Sequence, residues 1–173
     1  DPYPNDPGRT VDEDAPAMVQ APQEIRVSAT GESTLVTLDV AQAQATDNFD
    51  SELDFEIERD GAVLARNEEQ QVSLPSGALT LHWIAVDDAG NRSEPMAQRV
   101  NVYPQVRFTQ AEFVTGEDRV VPVGVSLSGP SPEYPVTILA QWISSDSDAT
   151  AADFVTDGED GVDLNALTVT IDS

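Results

Sequence analysis

Leu79-Thr80-Leu81-His82-Trp83-Ile84-Ala85-Val86-Asp87-Asp88-Ala89-Gly90-Asn91 is the stretch whose reading decides the fold. Leu79, Leu81, Trp83 and Ala85 alternate with Thr80, His82, Ile84 and Val86, the period of two that marks a strand with one buried face. The run then enters Asp-Ala-Gly-Asn, where Gly90 and Asn91 can take the positive φ of a tight turn. The same alternation recurs on both sides. Val36, Leu38 and Val40 alternate with Thr37 and Asp39; Val121, Val123, Val125 and Leu127 alternate with Val120, Pro122, Gly124 and Ser126; Val136, Ile138, Ala140 and Trp142 repeat the pattern. Twelve prolines and ten glycines punctuate these runs. No amphipathic helical pattern lies between them, as a doubly wound α/β enzyme requires. Short alternating runs bounded by turn residues predict antiparallel β-sandwiches.

Three zones follow. Residues 1–15 are polar, acidic and proline-rich, with no apolar periodicity from which to build a core. Residues 16–103 hold a first set of strands, expected at Glu24–Thr30, Ser33–Ala41, Leu53–Arg59, Ala62–Arg66, Leu79–Asp87 and Met96–Tyr103. Residues 104–173 hold a second, expected at Val106–Thr109, Arg119–Ser128, Pro135–Ser144 and Leu164–Ile171. The joint between the two sets is short and bears Pro104, which implies limited freedom between the modules.

Charge sets the function classes. Against 32 Asp+Glu stand 8 arginines and no lysine, a formal net charge of −24 over 173 residues. A nucleic-acid interface needs a basic footprint, and this composition offers none; docking onto anionic lipid is disfavoured for the same reason. Self-repulsion at this density favours bound cations or a salty medium. The absence of cysteine removes disulfides, thiol catalysis and thiolate metal sites. No run approaches the apolar length of a membrane span, and no leader pattern opens the chain, so a mature product or a cut fragment is expected.

Three stretches resemble known families. Asp1, Tyr3, Pro4, Asn5, Asp6 and Pro7, followed by Asp12 and Asp14, resemble the end of a bacterial thrombospondin type-three calcium repeat. Calcium takes about six to eight oxygen ligands, and carboxylates at alternate positions on a turning backbone converge on one ion. Here Ala15-Pro16 replaces the Asp-Gly of a following loop, so that site is expected to be cut short. Residues 16–103 resemble the hyalin-repeat family, an immunoglobulin-like sandwich tied to extracellular adhesion. The resemblance rests on Ala21-Pro22, Glu24-Ile25, Ala45-Thr46-Asp47-Asn48, Leu74-Pro75-Ser76-Gly77, Trp83 through Asn91 and Val100-Asn101-Val102. The family's usual two cysteines are missing. Residues 104–173 are similar to the Calx-beta family of calcium-binding sandwiches, through Val106-Arg107-Phe108, Phe113 through Asp118, Val123 through Gly129, Pro135-Val136-Thr137-Ile138, Ser145 through Phe154 and Leu167 through Asp172. Gly116 stands where the family has an early glutamate, and the family's last two strands have no counterpart. These resemblances imply two serial immunoglobulin-like antiparallel β-sandwiches, the second incomplete, behind an extended acidic N-terminal segment. Strand addition from a neighbouring copy is one way to complete the second.

The candidate ligands are carboxylates. The Calx-beta resemblance implies calcium at Glu117, Asp118, Asp146, Asp148, Asp153 and Asp172, and the repeat resemblance implies it at Asp1, Asp6, Asp12 and Asp14. Asp47 with Asp87 and Asp88 forms a third possible set, for which turn capping is the favoured reading. Asp157-Gly158-Glu159-Asp160-Gly161 and Asp60-Gly61 read as turns. His82, the single histidine, has no cysteine or second histidine with which to build a zinc site and reads as a half-exposed strand residue. Trp83 and Trp142 read as core rather than as sugar platforms. Asp54, Glu56 and Glu58 share one strand face, which reads as a solvated face and not as a catalytic pair across a cleft.

The expected function is therefore that of a non-catalytic, calcium-stabilised structural or adhesion module of a bacterial surface or secreted protein. Its expected partners are neighbouring modules of the same protein, identical subunits or surface glycans, with neither nucleic acid nor membrane insertion. A self-assembling filament subunit and a polysaccharide-binding accessory module of a secreted hydrolase are the alternatives. No enzyme is expected within these residues.

Overall fold

The computed structural model describes residues 12–67, 71–110, 123–140 and 167–172. The fold is all-β. Among the described residues, nine strands precede Pro104: β1 (Ala17–Gln20), β2 (Ile25–Ser28), β3 (Thr34–Thr37), β4 (Gln44–Thr46), β5 (Asp54–Arg59), β6 (Ala62–Arg66), β7 (Gln71–Leu74), β8 (Gly77–Val86) and β9 (Met96–Tyr103). The described residues after it add four: β10 (Val106–Phe108), β11 (Val125–Leu127), β12 (Val136–Ala140) and β13 (Leu167–Ile171). The chain divides into two compact units, one running through Gln105 and taking in Ser128–Pro132, the other built from Val106–Leu127 and Glu133–Ser173.

The first unit is a sandwich. One layer is a five-stranded sheet in the order β2-β9-β8-β5-β6. Facing it are two short antiparallel pairs, β3-β7 and β1-β4. Every pairing is antiparallel except β2-β9, which runs parallel from Ile25↔Val100 to Ser28↔Tyr103. The core fills the space between layers: Val36, Val72 and Leu74 from the short pairs meet Ile57, Leu81, Trp83, Val100 and Val102 from the large sheet. Alternation explains this choice. β3 buries Thr34 and Val36 and exposes Leu35 and Thr37, and β7 buries Val72 and Leu74. Trp83 is fully buried, packs edge-on against Phe55 with ring centroids 6.2 Å apart, and donates its indole N–H to Gln98 Oε1 at 2.9 Å. Gln98 Nε2 passes the link on to the Gln23 carbonyl at 2.7 Å.

Two local features depart from the sequence reading. The strand expected over Ser33–Ala41 stops at Thr37, and Val40–Gln42 form a 3-10 turn. Asp39 causes the break: its backbone carbonyl accepts the Gln42 N–H at 3.1 Å, and its carboxylate accepts the Gln42 side-chain amide at 2.7 Å. The face carrying Asp54, Glu56 and Glu58 is not uniformly solvated. Glu56 is only 8% exposed. It lies opposite Ile84 on β8 and is covered by Arg66 (2.8 Å) and Arg92 (3.0 Å), while Arg92 also pairs with Glu58 at 2.5 Å. Long arginine stems shield the sheet here while their heads neutralise the acids. The Asp60-Gly61 turn forms as expected, with positive φ at both residues (52° and 79°), which suits the tight β5-β6 hairpin.

In the second unit, β10 pairs antiparallel with β11 and β12 with β13. No helix among the described residues is long and apolar enough to cross a membrane.

Candidate metal centre

β1 and β4 run antiparallel, with Ala17 opposite Thr46. The approach to β1 therefore lies beside the exit from β4, which places Asp12 near Asp47. Asp87, at the exit of β8, joins them. One ligand atom from each of Asp12, Asp47 and Asp87 lies within 4.8 Å of the other two. Asp12 and Asp87 are buried, at 7% and 6% exposure, and Asp47 is half-buried.

Backbone N–H groups hold each carboxylate through its Oδ1. Asp47 Oδ1 accepts the N–H groups of Phe49 (2.7 Å) and Asp50 (2.9 Å), the geometry of an Asx turn. Asp87 Oδ1 accepts the Asn91 N–H at 2.7 Å, and the Asp87 carbonyl accepts the Gly90 N–H at 3.1 Å. Asp12 Oδ1 accepts the Asp14 N–H at 3.0 Å. Asn91 links the two sides: its side-chain amide lies 2.7 Å from Asp87 Oδ2, 3.0 Å from the Asp12 carbonyl and 3.3 Å from the Asp14 carbonyl. Asn48 adds a bond to the Asp14 carboxylate at 2.9 Å.

What these bonds leave over defines the site. Asp12 Oδ2 and Asp47 Oδ2 are buried and accept no hydrogen bond among the described residues. Arg92, the arginine nearest in sequence among the described residues, is turned to Glu56 and Glu58 instead. Two negative charges within 4.8 Å of each other repel by at least roughly 3–4 kcal/mol at an effective dielectric of about 20. A buried acceptor without a donor is a further penalty. A cation between the three carboxylates removes both terms. All side-chain donors are oxygens, with neither imidazole nor thiolate, and such a set fits a hard divalent ion, calcium or magnesium, in preference to zinc.

The turn that carries Asp87 and Asn91 depends on Gly90, whose φ is +89°. A Cβ there meets nothing within 4 Å, so Gly90→Ala tests backbone strain alone. It is expected to destabilise the first unit by about 1–2 kcal/mol, read as a lower denaturant midpoint at unchanged m-value. Asn91, also expected at positive φ, is not among the positive-φ residues.

The structure regroups the acids singled out in the sequence. Asp12 joins Asp47 and Asp87, whereas Asp14 and Asp88 are exposed outside the cluster. Asp88 serves the loop geometry by donating its N–H to Asp50 Oδ2 at 3.1 Å. Asp172 is exposed just after β13. Asp1, Asp6, Glu117, Asp118, Asp146, Asp148 and Asp153 lie outside the described residues, as does Trp142. His82 is half-buried, opposite Glu58 and Ala97 in the sheet. A separate open recess of about 420 Å³, lined by residues including Val19, Gln44, Thr46, Ser51 and Phe55, has no titratable group in its wall.

No family model matches the chain, and no curated protein matches it. Among solved structures the chain is similar to extracellular domains 3–5 of Drosophila OTK, at 16% identity over 94% of this chain, with a TM-score of 0.36. The chain spans 58% of the length of that structure. A likeness at that TM-score adds nothing to the architecture already described.

Proposed function

We propose that this chain is a non-catalytic structural or adhesion module of an extracellular, bacterial surface or secreted protein, stabilised by calcium at one end of its first sandwich. The observation that carries the reading is the Asp12-Asp47-Asp87 cluster, with two buried oxygens that no donor among the described residues satisfies. Extracellular fluid supplies calcium at concentrations that such sites bind, and the net charge of −24 suits a surface facing that medium. The three resemblances in the sequence point to the same setting. Neighbouring modules of the same protein are the natural partners of a unit whose ion sits at its end.

Isothermal titration with calcium chloride in 150 mM sodium chloride (a generic screening background) tests the reading. The chain is expected to bind with a dissociation constant between about 10⁻⁶ and 10⁻³ M. Asp87→Asn, which keeps an acceptor for the Asn91 N–H, is expected to bind one equivalent fewer than the native chain. Identical titrations of the two chains would falsify the assignment.

A further inference from the structure

Two of the three carboxylates belong to the sandwich proper: Asp47 follows β4 and Asp87 follows β8. The third, Asp12, lies on the segment that leads into β1. Its backbone is held by side chains of the sandwich, Asn91 touching the Asp12 and Asp14 carbonyls and Asn48 the Asp14 carboxylate. The Asp12 carboxylate therefore arrives beside two others only when this segment is docked. Docking without an ion adds a third negative charge to the cluster and buries Asp12 Oδ2 without a donor among the described residues. Docking with an ion completes the ligand set. We propose that the centre is a cation-gated latch: a divalent ion fixes the segment from Asp12 to Ala15 against the sandwich end, and its removal releases that segment while the sandwich stays folded. The proposal rests on the cation reading above and adds what the ion controls.

The physical basis is linkage. An ion can shift a docked-undocked equilibrium only by its difference in affinity for the two states. Here that difference is one buried carboxylate out of three, which is large for a hard cation. Asn91 makes the coupling two-way, because the amide that holds Asp87 Oδ2 also holds the Asp12 carbonyl. The latch acts where chain enters the sandwich from its N-terminal side.

Glu13 offers a direct readout, since it is exposed and lies inside the latched segment. Glu32 is an internal control, exposed in a bend far along the chain from the ligands. The full chain is digested with glutamyl endopeptidase in calcium chloride or in chelator, and cleavage after each glutamate is timed by mass spectrometry. In parallel, calcium binding is measured by titration calorimetry. Cleavage after Glu13 is expected to be at least tenfold slower in calcium, with cleavage after Glu32 unchanged. Asp47→Asn is expected to lose the calcium dependence at Glu13. If the ion binds and Glu13 is cut at the same rate with or without it, or if Glu13 and Glu32 slow together, the latch is wrong and the cation site stands. If no ion binds at the cluster, the latch falls with the reading on which it rests.

Discussion

Trp83→Ala is expected to be the most damaging single substitution in the first unit, lowering its stability by about 3–5 kcal/mol. The indole is fully buried at the centre of β8, between its neighbours in the large sheet and the Val36, Val72 and Leu74 layer. Truncation opens a cavity that rigid flanking strands cannot close, because Ile57 and Met96 are fixed opposite position 83 by sheet register. It also strands Oε1 of Gln98, a residue only 2% exposed, which accepts its hydrogen bond from the indole N–H. That loss adds about 1–3 kcal/mol within the total. Trp83→Phe separates the two effects: it keeps most of the ring volume and removes only the donor, so about 1–3 kcal/mol is expected. Set against a typical domain stability of about 5–15 kcal/mol, the alanine change leaves a unit close to unfolding. Amide exchange of Leu81 and Val100, read across a denaturant series, measures the unit directly. A loss below about 2 kcal/mol for the alanine variant would mean that the core is not organised around this ring.

The strands with long alternation were legible without coordinates, because burial on one face of a sheet imposes a period of two. β5, β6, β8 and β9 lie close to where Leu53–Arg59, Ala62–Arg66, Leu79–Asp87 and Met96–Tyr103 were expected. β1, β4 and β7 were not legible. Each is three or four residues long, and β4 carries a single apolar residue, so their identity as strands comes from the partner and not from the segment. Glu56 misled for a related reason: its shielding comes from Arg66 and Arg92, which are remote in sequence. The candidate metal centre was half legible. Asp47 and Asp87, together with Asp88, stood out in the sequence as a possible set of turn carboxylates for which capping was the favoured reading. Asp12 could be placed beside them only once β1 was known to lie antiparallel to β4. Capping does not use up these carboxylates, since Asp47 and Asp87 cap their turns with Oδ1 and the cluster keeps buried oxygens to spare.

Asp47→Asn is expected to reverse the order of stability between variant and native chain when calcium is exchanged for chelator. Asp47 Oδ1 already satisfies Phe49 and Asp50, and an asparagine oxygen can do the same, so the turn survives the change. The new amide nitrogen takes the place of Oδ2, where it offers donors to Asp12 and Asp87 in place of a third negative charge. In chelator the variant is therefore expected to melt several degrees above the native chain, a gain of about 1–2 kcal/mol from relieved repulsion and a satisfied acceptor. In calcium the order inverts. At a hundredfold excess over its dissociation constant an ion that binds only the folded state contributes roughly 2.7 kcal/mol, about 10 °C or more in Tm for a unit of this size; the variant gains little of this. Sodium chloride at matched ionic strength separates ligation from screening, since screening relieves the excess of acidic charge in both chains alike. Differential scanning calorimetry of both chains in chelator, in calcium and in matched sodium chloride reads all three effects. Equal calcium shifts in the two chains, or a native shift that sodium chloride reproduces, would show that the ion acts on the general charge and not at Asp12, Asp47 and Asp87.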